Sequence, residues 1–536
     1  MIKKIVVSFV IFVGVFCLSA CKSSRSKADQ CADDGVLLIG NASEPSGLDP
    51  QLVTGVSESR IISALLEGLI TYHPKNDSEP EPGMAESWES NGDASQWVFH
   101  LRKAFWSNGD PVTANDFVYS WERILRADFG APMASNLFII KNAEEFYEGE
   151  ISDFSKVGVR SLDQRTLQVT LVGPTPYFLN ALKHFSFFPV NPRIVESTGG
   201  MTNRFGQWTH PENYVSNGPF LLEEWSVNKI IRVVKNPNYW DANNVKLNAI
   251  EFFPVENTST EEKMFLAGQL HMTYGMPQSK INYYKANDLG TARFEPYLGT
   301  YFYRLNTTKP PLNNPLVRKA LSYAIDRYAI TEYVTGSGEK PAYGFTPPGI
   351  EDYNVPRSLS YNPQKAKALL AKAGYPDGEG FPVLDILINT DEDHRKIAEV
   401  IQQQWNSLLG IHVNIYNQEW KAYLESTSRM DYDIARAGWI GGYMDPMTFL
   451  YMWLTDNGSN ETGWSNKAFD DLIYASRRTP TREAHFATLR KAEEILLDEQ
   501  PIIPIYWYTS KKLVDPRLKG YYPKLLDNHP YKYMYF

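Results

Sequence analysis

Ala85-Glu86-Ser87-Trp88, Trp97-Val98-Phe99-His100-Leu101-Arg102 and Trp106-Ser107-Asn108-Gly109-Asp110-Pro111-Val112-Thr113-Ala114-Asn115-Asp116-Phe117 follow one another in close order. The alternation from Trp97 to Leu101 is that of a strand. Asn108-Gly109-Asp110-Pro111 is a turn by its residue types. Thr113, with Asp116 three residues on, matches the capping box that opens a helix. Val118, Trp121 and Leu125 continue that helix on one face. Trp88, Trp97 and Trp106 read as packing residues of a core or of an interlobe contact. A strand, a turn and a capped helix in succession predict a mixed α and β chain.

The same interleaving continues on both sides. Val36-Leu37-Leu38-Ile39 reads as a buried strand stopped by Gly40-Asn41. Residues 58–69 have helical spacing, with Ile61, Ile62, Leu65 and Leu66 on one face. Residues 167–171 and 230–234 alternate as strands. Asn314-Pro315 and Asn362-Pro363 each open a helix with proline in its first turn, the second closed by Gly374. Residues 395–409 predict a helix ending at Gly410, followed by a strand over 411–415. Residues 481–497 predict a long helix, 502–508 a strand, and 531–536 a closing strand. No fixed-period repeat is present.

The chain has 536 residues, enough for three or four domains with large cores and no disulfide scaffold. Its formal charge is −9, and it has no long Lys/Arg run, which argues against nucleic-acid binding. Aromatics make up 13%, including 32 Tyr and 13 Trp, a supply of amphipathic rings suited to polar ligand surfaces. Lys3 and Lys4 precede an apolar run over 5–20, too short to span a bilayer and laid out like a secretory signal. The run ends Leu18-Ser19-Ala20-Cys21, which resembles the bacterial lipobox. Cys21 is therefore the expected lipidated first residue of the mature protein. Losing the signal takes the formal charge from −9 to −11. Residues 22–34 (KSSRSKADQCADD) read as a flexible tether. Cys17 leaves with the signal and Cys21 carries lipid, so only Cys31 remains, a bystander thiol without a disulfide partner.

Catalytic signatures are missing. No two of the nine histidines stand four apart, so there is no HExxH helix. One thiol in the folded body excludes thiolate zinc sites. There is no phosphate-binding P-loop and no G-x-S-x-G elbow. The chain is read as no enzyme, with no catalytic residues, metal or cofactor.

Further blocks accompany 85–117 in fixed order. They are Leu66-Glu67-Gly68-Leu69, Ser216-Asn217-Gly218-Pro219-Phe220, Asn236-Pro237-Asn238-Tyr239-Trp240, residues 315–327 (PLVRKALSYAIDR) and 342–348 (AYGFTPP). Gln418-Glu419-Trp420-Lys421 and Ala435-Arg436-Ala437-Gly438-Trp439 close the series. Together they resemble the signature of family 5 extracellular solute-binding proteins, the receptors of peptide ABC importers, in the oligopeptide-binding branch. The resemblance covers nearly all of 35–536. It implies an α/β fold, a periplasmic-binding-protein type II-like two-lobed clamp with an additional α/β domain. The discontinuous lobe I would take 35–66, 191–298 and 509–536, the additional domain 67–190, and lobe II 299–508. The implied function is a lipid-anchored receptor, in the periplasm or on the outer face of the plasma membrane. It would close on an oligopeptide or peptide-like ligand and pass it to a permease, as a monomer. The alternatives are a receptor for a non-peptide solute such as a metal complex or haem, and an envelope sensor or adhesin.

The segment 434–439 is the expected ligand strand. Gly438 marks a place where another backbone can approach. The resemblance lays the peptide there as an added strand, a mode that tolerates varied side chains. Trp420 and Trp439 would line its pockets, and Arg436 would offer a cation to a carboxylate or serve a structural ion pair. Val56, His394, Ala437, Gly442, Tyr443 and Asp445 complete the implied ligand-binding set. The family's aspartate for the peptide α-ammonium falls on Gly442. A second family acid falls on Thr54, and a lysine for the carboxyl end falls on Thr335. Asp445 is one candidate to replace the lost acid, and a blocked or displaced amino end is another. Two cysteines that some relatives pair near this site are Gly299 and Ile440 here.

Overall fold

The computed structural model describes residues 25–536 apart from Pro176, Asp288, Leu289, Ser358 and Pro480. The signal and Cys21 lie outside the described residues. Among the described residues there are three large sheets and a two-stranded one, Ile70–Tyr72 with Pro80–Pro82. The first has four strands in the order Val36–Gly40, Ala249–Phe253, Ile230–Lys235, Phe220–Ser226. Its outer pair, Val36–Gly40 with Ala249–Phe253, is parallel and the rest antiparallel. The second has six strands, Lys340–Pro341, Ile502–Leu513, Ala292–Leu305, Ile434–Ile440, Leu384–Asn389 and Val413–Gln418. The third is an antiparallel four-stranded sheet of Ala85–Ser90, Gln96–Leu101, Thr166–Thr170 and Val159–Asp163.

The long strands Ala292–Leu305 and Ile502–Leu513 pair antiparallel from Ala292↔Leu513 to Arg304↔Ile502, with register shifts between Pro296 and Thr300 and between Tyr301 and Phe302. Met272 bridges both Ile39 and Val514, so this ribbon joins the first sheet to the second. One apolar core packs the first and third sheets with Trp106, Trp121 and Phe117. Another packs the six-stranded sheet under Trp405, Ile397 and Leu321.

The motif blocks are mostly scaffolding. Asp116 caps its helix as expected and also accepts from Trp106 Nε1 at 2.8 Å. Glu67 gathers three blocks. Its carboxylate accepts from Tyr239 Oη and Trp240 Nε1 at 2.6 and 2.7 Å, and its backbone exchanges two hydrogen bonds with Asn217. That clamp explains why the helix expected over 58–69 stops at Leu65, leaving Leu66 extended. Arg123, fully buried, donates to both Asp49 oxygens at 3.0 and 2.7 Å. It thereby fixes the loop that leads to Thr54 and Val56.

Two expectations are corrected. The tether of 22–34 gives way to a helix over Lys27–Asp33 with a Ser26–Asp29 capping box. Ala28 and Ala32 are buried, and Lys27 pairs with Glu251 at 2.9 Å, so this segment docks on the first sheet. Cys31 is a free, half-buried thiol there. The closing strand of 531–536 is a 3-10 turn, Tyr531–Tyr533, with one bridge from Tyr535 to Lys519. Its aromatic residues pack by their rings, Tyr531 edge-on to Phe252 at 5.8 Å and Phe536 against His271 at 4.5 Å.

Candidate functional site

The strand Ile434–Ile440 pairs along its whole length with Gly299–Leu305. On its other edge, Leu384–Asn389 reaches only Ile434 and Ala435. From Arg436 to Ile440 that second edge has no strand partner among the described residues. It opens on a cavity of about 380 Å³ whose walls come from the six-stranded sheet and from segments that follow the strands Val36–Gly40 and Ala249–Phe253. Val56, His394, Trp420, Arg436, Gly438, Trp439, Gly442 and Tyr443 all line it. A more open groove of about 530 Å³ runs past Gln278, Tyr333 and Gln403 and contains none of these residues.

Ala437 and Asp445 do not line the cavity. Side chains alternate along a strand, so Ala437 points to the opposite face from Arg436 and Gly438 and is buried in the core. Asp445 is 4% exposed. Its carboxylate accepts from Met447 N at 2.9 Å and pairs with His485 Nε2 at 3.0 Å, so it cannot replace the acid absent at Gly442. Burial disfavours the His485 cation, but Asp445 outweighs it and raises the histidine above its ordinary range. Thr54 lines the cavity, whereas Thr335 is buried and donates to Thr331 O at 3.2 Å.

Arg436 donates to Asn389 Oδ1 at 3.2 Å and to Tyr508 Oη at 2.8 Å, and stacks 4.8 Å from the Tyr301 ring. Its Nε is buried without a partner. Among the described residues no carboxylate pairs with it, so the structural ion pair weighed for this residue is not found. The other cavity cations differ. Lys512 and Arg60 share Asp527, Lys511 lies 3.6 Å from Glu339, and Lys183 donates to two backbone carbonyls. Among the described residues, Arg436 is thus a buried cation with two neutral acceptors and no carboxylate partner.

The neighbours are set by the same economy of partners. His394 sits near the start of the helix Glu392–Leu409, its backbone N–H held by Asp391. Burial, reinforced by the Arg436 cation, pushes it down to about 3, so it is neutral. Trp420 stacks on Tyr423 at 5.7 Å, and Trp439 donates to Thr448 O at 2.6 Å. Tyr443 stacks on Tyr177 at 5.4 Å. Beside Gly438 it is the Tyr508 hydroxyl that approaches, 2.5 Å from where a Cβ would stand. Gly299 and Ile440 are direct cross-strand partners, and the Ile440 Cδ1 fills the space a Gly299 Cβ would need.

Sequence reading missed several lining residues. Lys512 Nζ lies 2.6 Å from Asp527 Oδ1, with Arg60 and His529 on the same carboxylate. Burial opposes ionisation of Asp527, yet the Lys512 cation foremost, with the His529 hydrogen bond and Arg60, holds it well below the usual carboxylate range. Glu261 accepts from Tyr274 N at 2.6 Å and Gly275 N at 3.2 Å, and burial pushes it up to about 7. His184 also lines the cavity, with no sequence motif around it. No helix or strand pattern marks these residues, because what places them together is the tertiary shape of the cavity they line. No cluster of metal-ligating side chains occurs among the described residues.

Comparison with known proteins bears on this cleft. The profile described as "Bacterial extracellular solute-binding proteins, family 5 Middle" matches residues 79–461. The periplasmic oligopeptide-binding protein OppA of Salmonella typhimurium is 36% identical over 99% of this chain and 98% of its own length. OppA of Haemophilus influenzae, solved in complex with RPPGFSPFR, superposes with a TM-score of 0.89 at 36% identity. That match covers 94% of this chain and 99% of its own. The murein tripeptide binding protein MppA of Escherichia coli superposes at 0.87 with 36% identity, covering 94% and 98%. The unliganded open form of MppA, with the same coverage, superposes at only 0.63.

Proposed function

The chain belongs to the family 5 bacterial extracellular solute-binding proteins, and from that membership we propose that it is the substrate-binding component of a peptide ABC importer. It takes an extended oligopeptide or peptide-like ligand between two closing lobes and delivers it to a permease. It performs no chemistry of its own. The observation that carries this reading is the unpaired edge of Arg436–Ile440 facing the cavity, with the Arg436 guanidinium lacking a carboxylate beside it. A peptide added at that edge gains main-chain hydrogen bonds whatever its side chains, and Arg436 meets its carboxylate.

Lobe I takes 35–66, 191–298 and 509–536, lobe II takes 299–508, and 67–190 forms the additional domain. The paired ribbon of Ala292–Leu305 and Ile502–Leu513 is the crossing on which the lobes hinge. The higher similarity to MppA in its first structure than in its open form supports a closed arrangement. The amino end of the ligand is held differently from the family pattern, because Gly442 stands where an acid is expected. Cys21 anchors the mature chain by lipid on the cell envelope, supported by the Leu18-Ser19-Ala20-Cys21 lipobox. Palmitate labelling and membrane fractionation test that anchor, with Cys21→Ser expected to release the protein.

Titration of the purified protein with a randomised peptide pool, with haem and with metal chelates in parallel, tests the ligand class. Quenching of tryptophan emission by peptides alone is the expected result. A response to haem or a chelate without one to peptides rejects the reading.

A further inference from the structure

Among the described residues, what a side chain at Gly442 would meet is the His184 ring and the Thr448 hydroxyl, neither of them charged. Neither His184, Asn136, Gly442 nor Thr448 hydrogen-bonds or ion-pairs with a carboxylate among the described residues. Burial alone holds His184 down to about 4, so its ring is neutral.

The ring's tautomer follows from its partners. Asn136 Nδ2 donates to Ser186 Oγ at 3.0 Å, so that hydroxyl turns its own hydrogen to His184 Nδ1, 2.8 Å away. Ser186 N–H also donates to Nδ1, at 3.2 Å. With Asn136 Nδ2 also 3.4 Å from Nδ1, only donors face that nitrogen, and the ring proton lies on Nε2. No described group accepts from Nε2. The ring lies against Gly442, its Cδ2, which is bonded to Nε2, 3.0 Å from where a Cβ would stand. Asn136, on the same cavity wall, has an Oδ1 that accepts from no described group. The wall thus offers one donor and one acceptor, both neutral.

We propose that this wall is a subsite for a secondary amide, with His184 Nε2–H donating to its carbonyl and Asn136 Oδ1 accepting its N–H, so that the protein binds peptides whose amino end is acylated. The proposal rests on the peptide reading above and names the ligand class within it. An ammonium placed here meets an N–H donor and no counter-charge, and an uncompensated buried charge is strongly disfavoured. An acyl amide matches both groups and carries no charge to desolvate.

Native mass spectrometry of the whole purified protein with a randomised tetrapeptide pool and with its N-acetylated counterpart decides the matter. The acetylated pool is expected to bind at least tenfold tighter. His184→Leu should shrink that ratio toward one, and Gly442→Asp should invert it by giving a free ammonium its carboxylate. Equal or tighter binding of the free pool by the wild-type protein overturns the subsite and leaves the peptide reading standing. Failure of both pools to bind overturns both. The wild-type comparison needs no variant, so it decides even if a substituted protein does not fold.

Discussion

Replacing Arg436 separates a ligand-binding cation from a structural one. In the protein alone, Arg436→Met removes hydrogen bonds to Asn389 Oδ1 and Tyr508 Oη but also removes a desolvated charge that no carboxylate balances. Stranded acceptors cost about 1–3 kcal/mol, while loss of an unpaired buried charge is favourable, so the net change in stability should be within about 1 kcal/mol. Binding is another matter. A guanidinium meeting a peptide carboxylate makes charge-assisted bonds, and truncating one partner of such a buried pair costs about 3–5 kcal/mol. At about 1.4 kcal/mol per decade that is a loss of roughly a hundred- to several-thousand-fold in affinity. Calorimetry with a binding peptide and its carboxy-amidated form reads the effect. Wild type should prefer the free carboxylate, and Arg436→Met should lose the preference while unfolding in urea near the wild-type midpoint. A variant that unfolds much more easily yet keeps both affinities would refute the reasoning and make Arg436 a structural residue.

Three further outcomes follow from the packing. Gly299→Cys combined with Ile440→Cys replaces direct cross-strand partners, so the pair should form a disulfide worth about 2–4 kcal/mol, seen as a reductant-sensitive rise in unfolding midpoint. Burial raises Glu261 from 4.5 to about 7. Its carboxyl therefore stays protonated in the folded state after it ionises in the unfolded one, and stability falls as pH rises from about 4.5 to about 7. The loss is up to roughly 3 kcal/mol, and Glu261→Gln should flatten that slope in urea unfolding at pH 4.5 and 8. Arg123→Met leaves Asp49 buried without its bidentate partner and should cost about 3–5 kcal/mol in urea unfolding.

What could be read from the residues was local. The Thr113–Asp116 capping box, the two Asn-Pro helix starts and the strands read over 36–39 and 97–101 depend on near neighbours, and all five form to within a residue of where the spacing places them. Ala437 was within reach of the same logic, since the period of two that turns Arg436 and Gly438 toward the cavity turns Ala437 away. The strand read over 502–508 extends to Leu513 because residues 509–513 pair with 292–296, a partner about 200 positions away that no local pattern shows. Asp445 looked available because its partner His485 lies 40 positions on, in a helix of its own. His184 escaped notice for the opposite reason, since its Nδ1 partners are local but its free Nε2 is defined only by the cavity it lines.

The ligand the protein carries when purified tests the central claim most directly. Denaturing the protein after isolation under native conditions and analysing the released small molecules by mass spectrometry identifies it without a chosen probe. The account predicts peptides or peptide-like compounds, enriched in species without a free amino terminus. A released haem or metal chelate, or a cleft that is empty and takes up no peptide from either pool, would contradict it.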